Sequence, residues 1–182
     1  FDRVEFNFDL DESGKFNEIE FESFKSKILN EVTENNYINL MVVLNTISSC
    51  KELYEFLKEK LSEQCDVDPE KSLDEDGICI FPDTDLINLS TNILPSFRLK
   101  RINRIKDGKK RKIVITTQLI EAGVDISVDV IYRDMAPLDC IIQSAGRCNR
   151  NNEKRKGKIY VVLLKDKNER KFCSYIYDPQ LI

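Results

Sequence analysis

The stretch from Ile113 to Arg150 leaves few folds open. It begins with the apolar run Ile113-Val114-Ile115, which ends in Thr116-Thr117. A short helical stretch and the tight turn Glu121-Ala122-Gly123-Val124-Asp125 lead to a second apolar run, Val128–Tyr132. The segment closes on Gln143-Ser144-Ala145-Gly146-Arg147-Cys148-Asn149-Arg150. Strand, helix, strand and helix in alternation specify a mostly parallel sheet with helices on both faces. The two closing arginines are planar, permanently charged groups suited to a phosphate. Gln143, Arg147 and Arg150 are spaced by four and three, so on one helix they share a face.

The chain's 182 residues suit one α/β domain, residues 1–182, with enough length for a real core. No apolar run approaches the roughly 20 residues of a membrane span. Phe1-Asp2-Arg3 is no signal peptide. The sequence does not open with Met and is expected to be a domain of a longer, cytoplasmic polypeptide. Its six cysteines form no CxxC pair and there is no histidine, so free thiols are expected rather than a metal site. The net charge of -4 hides an asymmetry. Residues 1–97 hold 8 basic and 22 acidic side chains, whereas residues 98–182 hold 20 and 10. A basic half suggests a local anion-binding face. The competing reading is a solvated helix face and a charged loop.

Taken in order, Val4, Phe6, Phe8 and Leu10 alternate with polar residues, as in a half-buried strand. Residues 1–12 are expected to add an edge strand. Phe21, Phe24, Ile28 and Val32 recur at helical spacing. Residues 38–46 are apolar on both faces, as a central parallel strand should be. Asn45 and Thr46 fall at its carboxyl end, where ligands bind in open parallel sheets. A helix of about residues 49–62 follows, with Ser48 or Ser49 as its cap. Residues 63–85 are acidic and irregular and predict a surface insertion with a short strand at Ile78–Phe81. Leu86–Leu89 predicts a strand with Ser90-Thr91 at its carboxyl end, and a helix of about residues 95–106 puts Arg98, Lys100, Arg101, Arg104 and Lys106 on its polar side. The run Lys109–Lys112 leads into the strand before Thr116, and Lys158–Leu164 is the last strand.

Thr116-Thr117-Gln118-Leu119-Ile120-Glu121-Ala122-Gly123-Val124-Asp125 resembles motif V of superfamily 2 helicases, and Gln143–Arg150 resembles motif VI in its QxxGRxxR form. Val43-Leu44-Asn45-Thr46 resembles motif IV, and Leu89-Ser90-Thr91 with Pro95-Ser96-Phe97-Arg98 the adjoining motif. The spelling TQLIEAGVDI, DMAPLD and QSAGRCNRN resembles the helicase-nuclease of type I CRISPR systems, over residues 38–164. Asn152 stands where that family often has Gly.

The resemblance implies a RecA-like lobe of a two-lobed motor with ATP between the lobes. The chain has no GxxxxGK[ST] phosphate loop, so it corresponds to the second lobe; the first would hold the Mg²⁺. The family's pattern makes Arg147 and Arg150 arginine fingers, with Gln143 positioning phosphate or water. It puts Gly123, Asp125 and Gly146 beside the nucleotide, Asp125 touching the ribose or orienting an arginine. Asn45, Thr46, Ser90, Thr91, Arg98, Thr116 and Thr117 would hold one DNA strand. The implied partners are the first lobe, single-stranded DNA, the CRISPR surveillance complex and a nuclease domain, fused or separate. Two alternatives stay open: another superfamily 2 translocase such as a restriction motor, or a non-catalytic nucleic-acid-binding α/β module. A structural ion pair to Asp125 or Asp139 is the competing role for the arginines.

Overall fold

The computed structural model describes residues 3–35, 38–121, 125–150 and 156–182; Gly123 and Asn152 lie outside them. In chain order the elements are β1 (Val4–Phe8), β2 (Glu18–Glu20), α1 (Phe21–Glu34), β3 (Leu40–Val43), α2 (Ile47–Cys65), β4 (Cys79–Ile80), β5 (Thr84–Leu89), α3 (Pro95–Lys106), β6 (Arg111–Thr116), β7 (Val130–Asp134), α4 (Leu138–Ala145) and β8 (Gly157–Lys165). The described strands form one sheet in the order β1-β8-β7-β3-β6-β5-β4, with β2 also pairing β8. All pairings are parallel except β4 with β5. No helix among the described residues is long and apolar enough to cross a membrane.

Two apolar layers hold the sheet between helices. Leu40, Val42 and Leu44 pack with Phe24, Ile28 and Val32 of α1 and Leu53 and Leu57 of α2. Met41 and Val43 face the other way, with Ile105 of α3 and Ile141 and Ala145 of α4. Period-2 alternation in a strand buried on both faces produces this split. Burying each such side chain contributes about 1.5–3 kcal/mol. β1 lies at one edge of the sheet and is only partly buried.

The acidic segment after α2 is less irregular than its composition suggests. Ile78, Cys79 and Phe81 are buried, and β4 forms a short antiparallel edge against β5. Lys100 Nζ lies 2.7 Å from Asp76 Oδ1. Arg101 donates to the carbonyls of Asp76 and Asn88 at 2.8 and 2.7 Å. The basic face of α3 is therefore largely spent on its acidic neighbour. Arg111 likewise donates to the carbonyls of Ile38 and Val32, both at 2.8 Å. Lys112 lies inside β6, 2% exposed, between Asp85 and Asp107 at 2.9 Å each. Much of the basic half thus braces the fold instead of forming an open anion-binding face, and Arg111 and Lys112 belong to a strand, not a solvated loop.

Candidate nucleotide and nucleic-acid sites

The motif residues gather at two opposite ends of the sheet. At the carboxyl end, β3, β6 and β5 are neighbours, with Val43, Thr116 and Leu89 in register. Asn45, Thr117 and Ser90 follow these positions. The side chains, however, do not form one shared row. Asn45 is 2% exposed, and its amide donates to Asp134 Oδ2 and to the Met135 carbonyl, both at 2.7 Å. Its Oδ1 accepts from Arg133 Nη1 at 2.8 Å. Every polar atom of that side chain is committed inside the protein. Thr116 is also buried, its hydroxyl donating to the Leu89 carbonyl at 2.5 Å. Ser90 is buried and donates to Asn92. Arg98 donates to the carbonyls of Ile93 and Thr91 at 2.9 and 3.2 Å, bracing the loop that carries Thr91.

Three hydroxyls remain better placed for an external acceptor. Thr46 rather than Ser48 or Ser49 caps α2, accepting from the Ser49 amide at 3.1 Å. It sits at the helix N-terminus beside the exposed Ile47 and Ser48, where backbone amides favour anions. Thr91 is exposed. Thr117 is 2% exposed, and its hydroxyl has no hydrogen-bond partner among the described residues, so it is not committed to an internal bond as those of Thr116 and Ser90 are. Thr46 and Ser48 also face a pocket walled by Glu20, Glu22, Glu52 and Asp166. These four carboxylates outnumber the one lysine of the lining, Lys167, and disfavour a phosphate there, so any backbone track would run towards Thr117 and Thr91.

The second site lies at the amino-terminal edge of the sheet. α4 ends at Ala145, with Gly146 as its C-cap, so Arg147 and Arg150 are beyond the helix. The spacing argument that put them on one helical face with Gln143 does not hold. A parallel bridge between Val128 and Cys148 brings them together instead. The Val128 amide donates to Arg147 O at 3.0 Å, and the Asn149 amide to Val128 O at 2.8 Å. Asn149 takes a left-handed conformation, φ 44°, which asparagine tolerates better than most residues. β8 presses close behind: a Cβ on Gly157 would lie 2.5 Å from Cys148 Sγ and 2.9 Å from Asn149 Cβ. Only glycine permits that approach without moving the arginine segment.

This stitching sets Arg150 Nη1 2.8 Å from Asp125 Oδ1. The ion pair to Asp125 is thus present, and both side chains stay open to solvent, 42% and 67% exposed. Burial and the neighbouring Arg150 charge push the Arg147 guanidinium below its usual range, while Asp125 opposes the shift. An arginine keeps its charge nonetheless. The shift records first the partial burial of Arg147 and then the nearby Arg150 charge. Gln143 is exposed on α4, and Gly146 lies between it and the arginines. Thr117 directly follows β6 at its carboxyl end, and Asp125 precedes β7 at its amino end.

One cluster was not marked by the apolar pattern, although its Asp134 opens the stretch DMAPLD. β7 continues past the predicted Val128–Tyr132 run through Arg133 and Asp134, which are 0% and 1% exposed. Arg133 also donates to the Asp134 carbonyl at 2.9 Å and to the Tyr177 hydroxyl at 3.2 Å. A charged pair after an apolar run reads as the start of a loop, and only burial among polar partners identifies it as strand.

Burial pushes the Asp134 carboxyl up to about 7, against the lowering effect of Arg133 and its hydrogen bonds. The folded protein then holds this proton to a higher pH than the unfolded chain does. Stability should fall as pH rises from about 4 to 7, by on the order of 1 kcal/mol per pH unit at most. The depressed carboxyls Asp11, Glu18, Asp107 and Asp166 act below that window, and no histidine titrates inside it. The melting temperature should therefore be higher at pH 5.5 than at pH 7.5, and Asp134→Asn should flatten the difference. An unchanged slope in the variant would assign it to other groups.

Comparison with known proteins adds a family. A family model for the C-terminal part of the CRISPR-associated nuclease/helicase Cas3 matches residues 36–153. The CRISPR-associated nuclease/helicase Cas3 of Methanothermobacter thermautotrophicus is 27% identical over 170 residues, covering 91% of this chain and 17% of the relative. The crystal structure of T. fusca Cas3 with ATP superposes with a TM-score of 0.62 at 18% identity, over 94% of this chain and 19% of that one. A chain of a CRISPR RNA-guided surveillance complex in a pre-nicking state superposes with a TM-score of 0.60 at 18% identity, over 94% and 20%. The chain thus spans about a sixth to a fifth of the length of these proteins.

Proposed function

The chain belongs to the family of Cas3 C-terminal helicase domains, and on that premise we propose that it is the second motor lobe of an ATP-dependent DNA helicase acting in type I CRISPR interference. The observation that supports this reading is the solvent-open pair of Arg150 with Asp125, with Arg147 near enough to feel both charges. Phosphoryl transfer needs little covalent help from a protein, and its developing charge is met by positioned cations. Arg147 and Arg150 would meet the γ-phosphate of an ATP held by the first lobe, which also supplies the Mg²⁺ ligands. Asp125 holds Arg150 extended until the nucleotide arrives, and Gln143 positions phosphate or water. Thr117 and Thr91 would touch the backbone of one DNA strand, while Thr46 caps α2 and Asn45, Ser90, Arg98 and Thr116 shape the strand ends that present them.

The segment from Thr117 to Asp125 supports a coupled motor over a plain binding module, because it joins the phosphate edge to the DNA edge. In the complete protein, the surveillance complex would deliver the DNA and a nuclease domain would cut it. The isolated chain should bind single-stranded DNA weakly, without sequence preference and with strong salt dependence. It should release no phosphate from ATP, since it carries no phosphate loop. A phosphate-release assay with and without DNA tests this. Turnover clearly above that of an Arg147→Ala, Arg150→Ala control would overturn the half-motor reading.

A further inference from the structure

The C-terminal segment after β8 carries a residue that neither motif accounts for. Tyr177 packs half-buried against the core layer of α3 and α4. Its hydroxyl accepts from two side chains, Gln118 Nε2 at 3.1 Å and Arg133 Nη2 at 3.2 Å. Gln118 is the first residue of the short 3-10 turn Gln118–Glu121 that opens motif V, and it also donates to the Asn45 carbonyl at 3.2 Å. Arg133 donates to Asn45 Oδ1. One hydroxyl therefore ties the ends of β3, β6 and β7 to the tail.

We propose that Tyr177 is a positioning residue that fixes the motif V turn, so that the tail sets how firmly the DNA-side end of the Thr117–Asp125 segment is held. The proposal rests on the motor reading for its consequence, though not for the tie itself. Thr117, whose hydroxyl has no partner among the described residues, directly precedes Gln118. A loosened turn would misplace that hydroxyl for a phosphate without touching Arg147 or Arg150 at the other edge. The tail is itself well anchored: Cys173 is buried, and the Tyr177 amide donates to its carbonyl at 2.9 Å. Tyr175 Oη donates to Asp166 Oδ2 at 2.7 Å. Tyr177 is thus the contact through which an anchored tail reaches the strand ends. The buried guanidinium makes the bond charge-assisted.

Tyr177→Phe removes the hydroxyl and keeps the ring, so the core contact survives. Hydrogen exchange on the chain should then speed about tenfold at residues 118–121 and 44–46, with β8 and α2 unchanged. Coupling is reciprocal, so Gln118→Ala should speed exchange at residues 173–177. Changes confined to the substituted segment in both variants would overturn the tie. Gln118→Ala decides it alone if Tyr177→Phe loses protection throughout. In the complete two-lobed protein, Tyr177→Phe should raise the DNA concentration for half-maximal ATP hydrolysis about five- to tenfold, with turnover at saturating DNA within twofold of wild type. An equal loss of turnover at all DNA concentrations would overturn the positioning role. A wild-type protein without DNA-stimulated hydrolysis would instead refute the motor reading, while the exchange result would still stand.

Discussion

Arg150→Lys in the complete two-lobed protein should reduce ATP hydrolysis by about a thousandfold or more, the scale on which arginine fingers act. Lysine keeps the positive charge. What it loses is the planar fork that reaches two phosphate oxygens at once. The structure separates this effect from folding. Arg150 is anchored through its backbone: its amide donates to Ser127 Oγ at 3.0 Å, and its carbonyl accepts from Arg3 at 3.2 Å. The side chain makes a half-exposed pair with Asp125, and such surface pairs contribute about 0–1 kcal/mol. The lysine variant should therefore melt within a few degrees of wild type and bind DNA normally. Turnover equal to wild type would remove Arg150 from the phosphate site. A large drop in melting temperature would make the Asp125 pair a structural brace.

Asp85→Ala should destabilise the domain by about 3–5 kcal/mol, because it breaks a buried ion cluster from one side. Asp85 is 0% exposed in β5 and lies opposite Lys112 of β6 in the parallel register. Its carboxylate accepts from Lys112 Nζ at 2.9 Å and from Arg104 Nε at 2.7 Å. Without it, Lys112 keeps only Asp107, which is itself partly solvated. The buried Lys112 charge is then left with half of its compensation, from a carboxylate at the solvent margin. Replacing both ends, Asp85→Leu with Lys112→Met, should recover most of the loss, since removing a whole buried pair is far cheaper than halving it. Urea unfolding of the three variants tests this. A loss below about 1 kcal/mol for Asp85→Ala would mean that the site relaxes and hydrates.

Asp85 also explains why the charge asymmetry was legible and its meaning was not. Composition shows that residues 1–97 are acidic and the rest basic. It does not show that the two halves interleave in space. β5 of the acidic half pairs β6 of the basic half, and α3 folds back over the acidic segment. Cations that look like an open phosphate-binding face become internal partners, Arg101, Arg104, Arg111 and Lys112 among them. The same holds for Asn45. Its place at a strand end was readable, but its side chain turns inward because Arg133 and Asp134, ninety residues away in sequence, are buried beside it.

Apart from the helicase likeness of its motif segments, which came from resemblance to a family, the sequence alone specified the parallel α/β architecture and the helices and central strands. These rest on local patterns: period-2 and period-3.6 apolar spacing, and short runs whose backbone demands are met within a few residues. The tertiary structure alone decided which polar side chains face solvent and which are consumed. It ended α4 before Arg147 and delivered both arginines through the Val128–Cys148 bridge, made possible by the absent Cβ of Gly157. It also brought Tyr177 back across the strand ends to Gln118 and Arg133. The physical reason is that a polar group's partner is set by distance in space, and in a parallel sheet every neighbouring strand is supplied by a crossover from elsewhere in the chain.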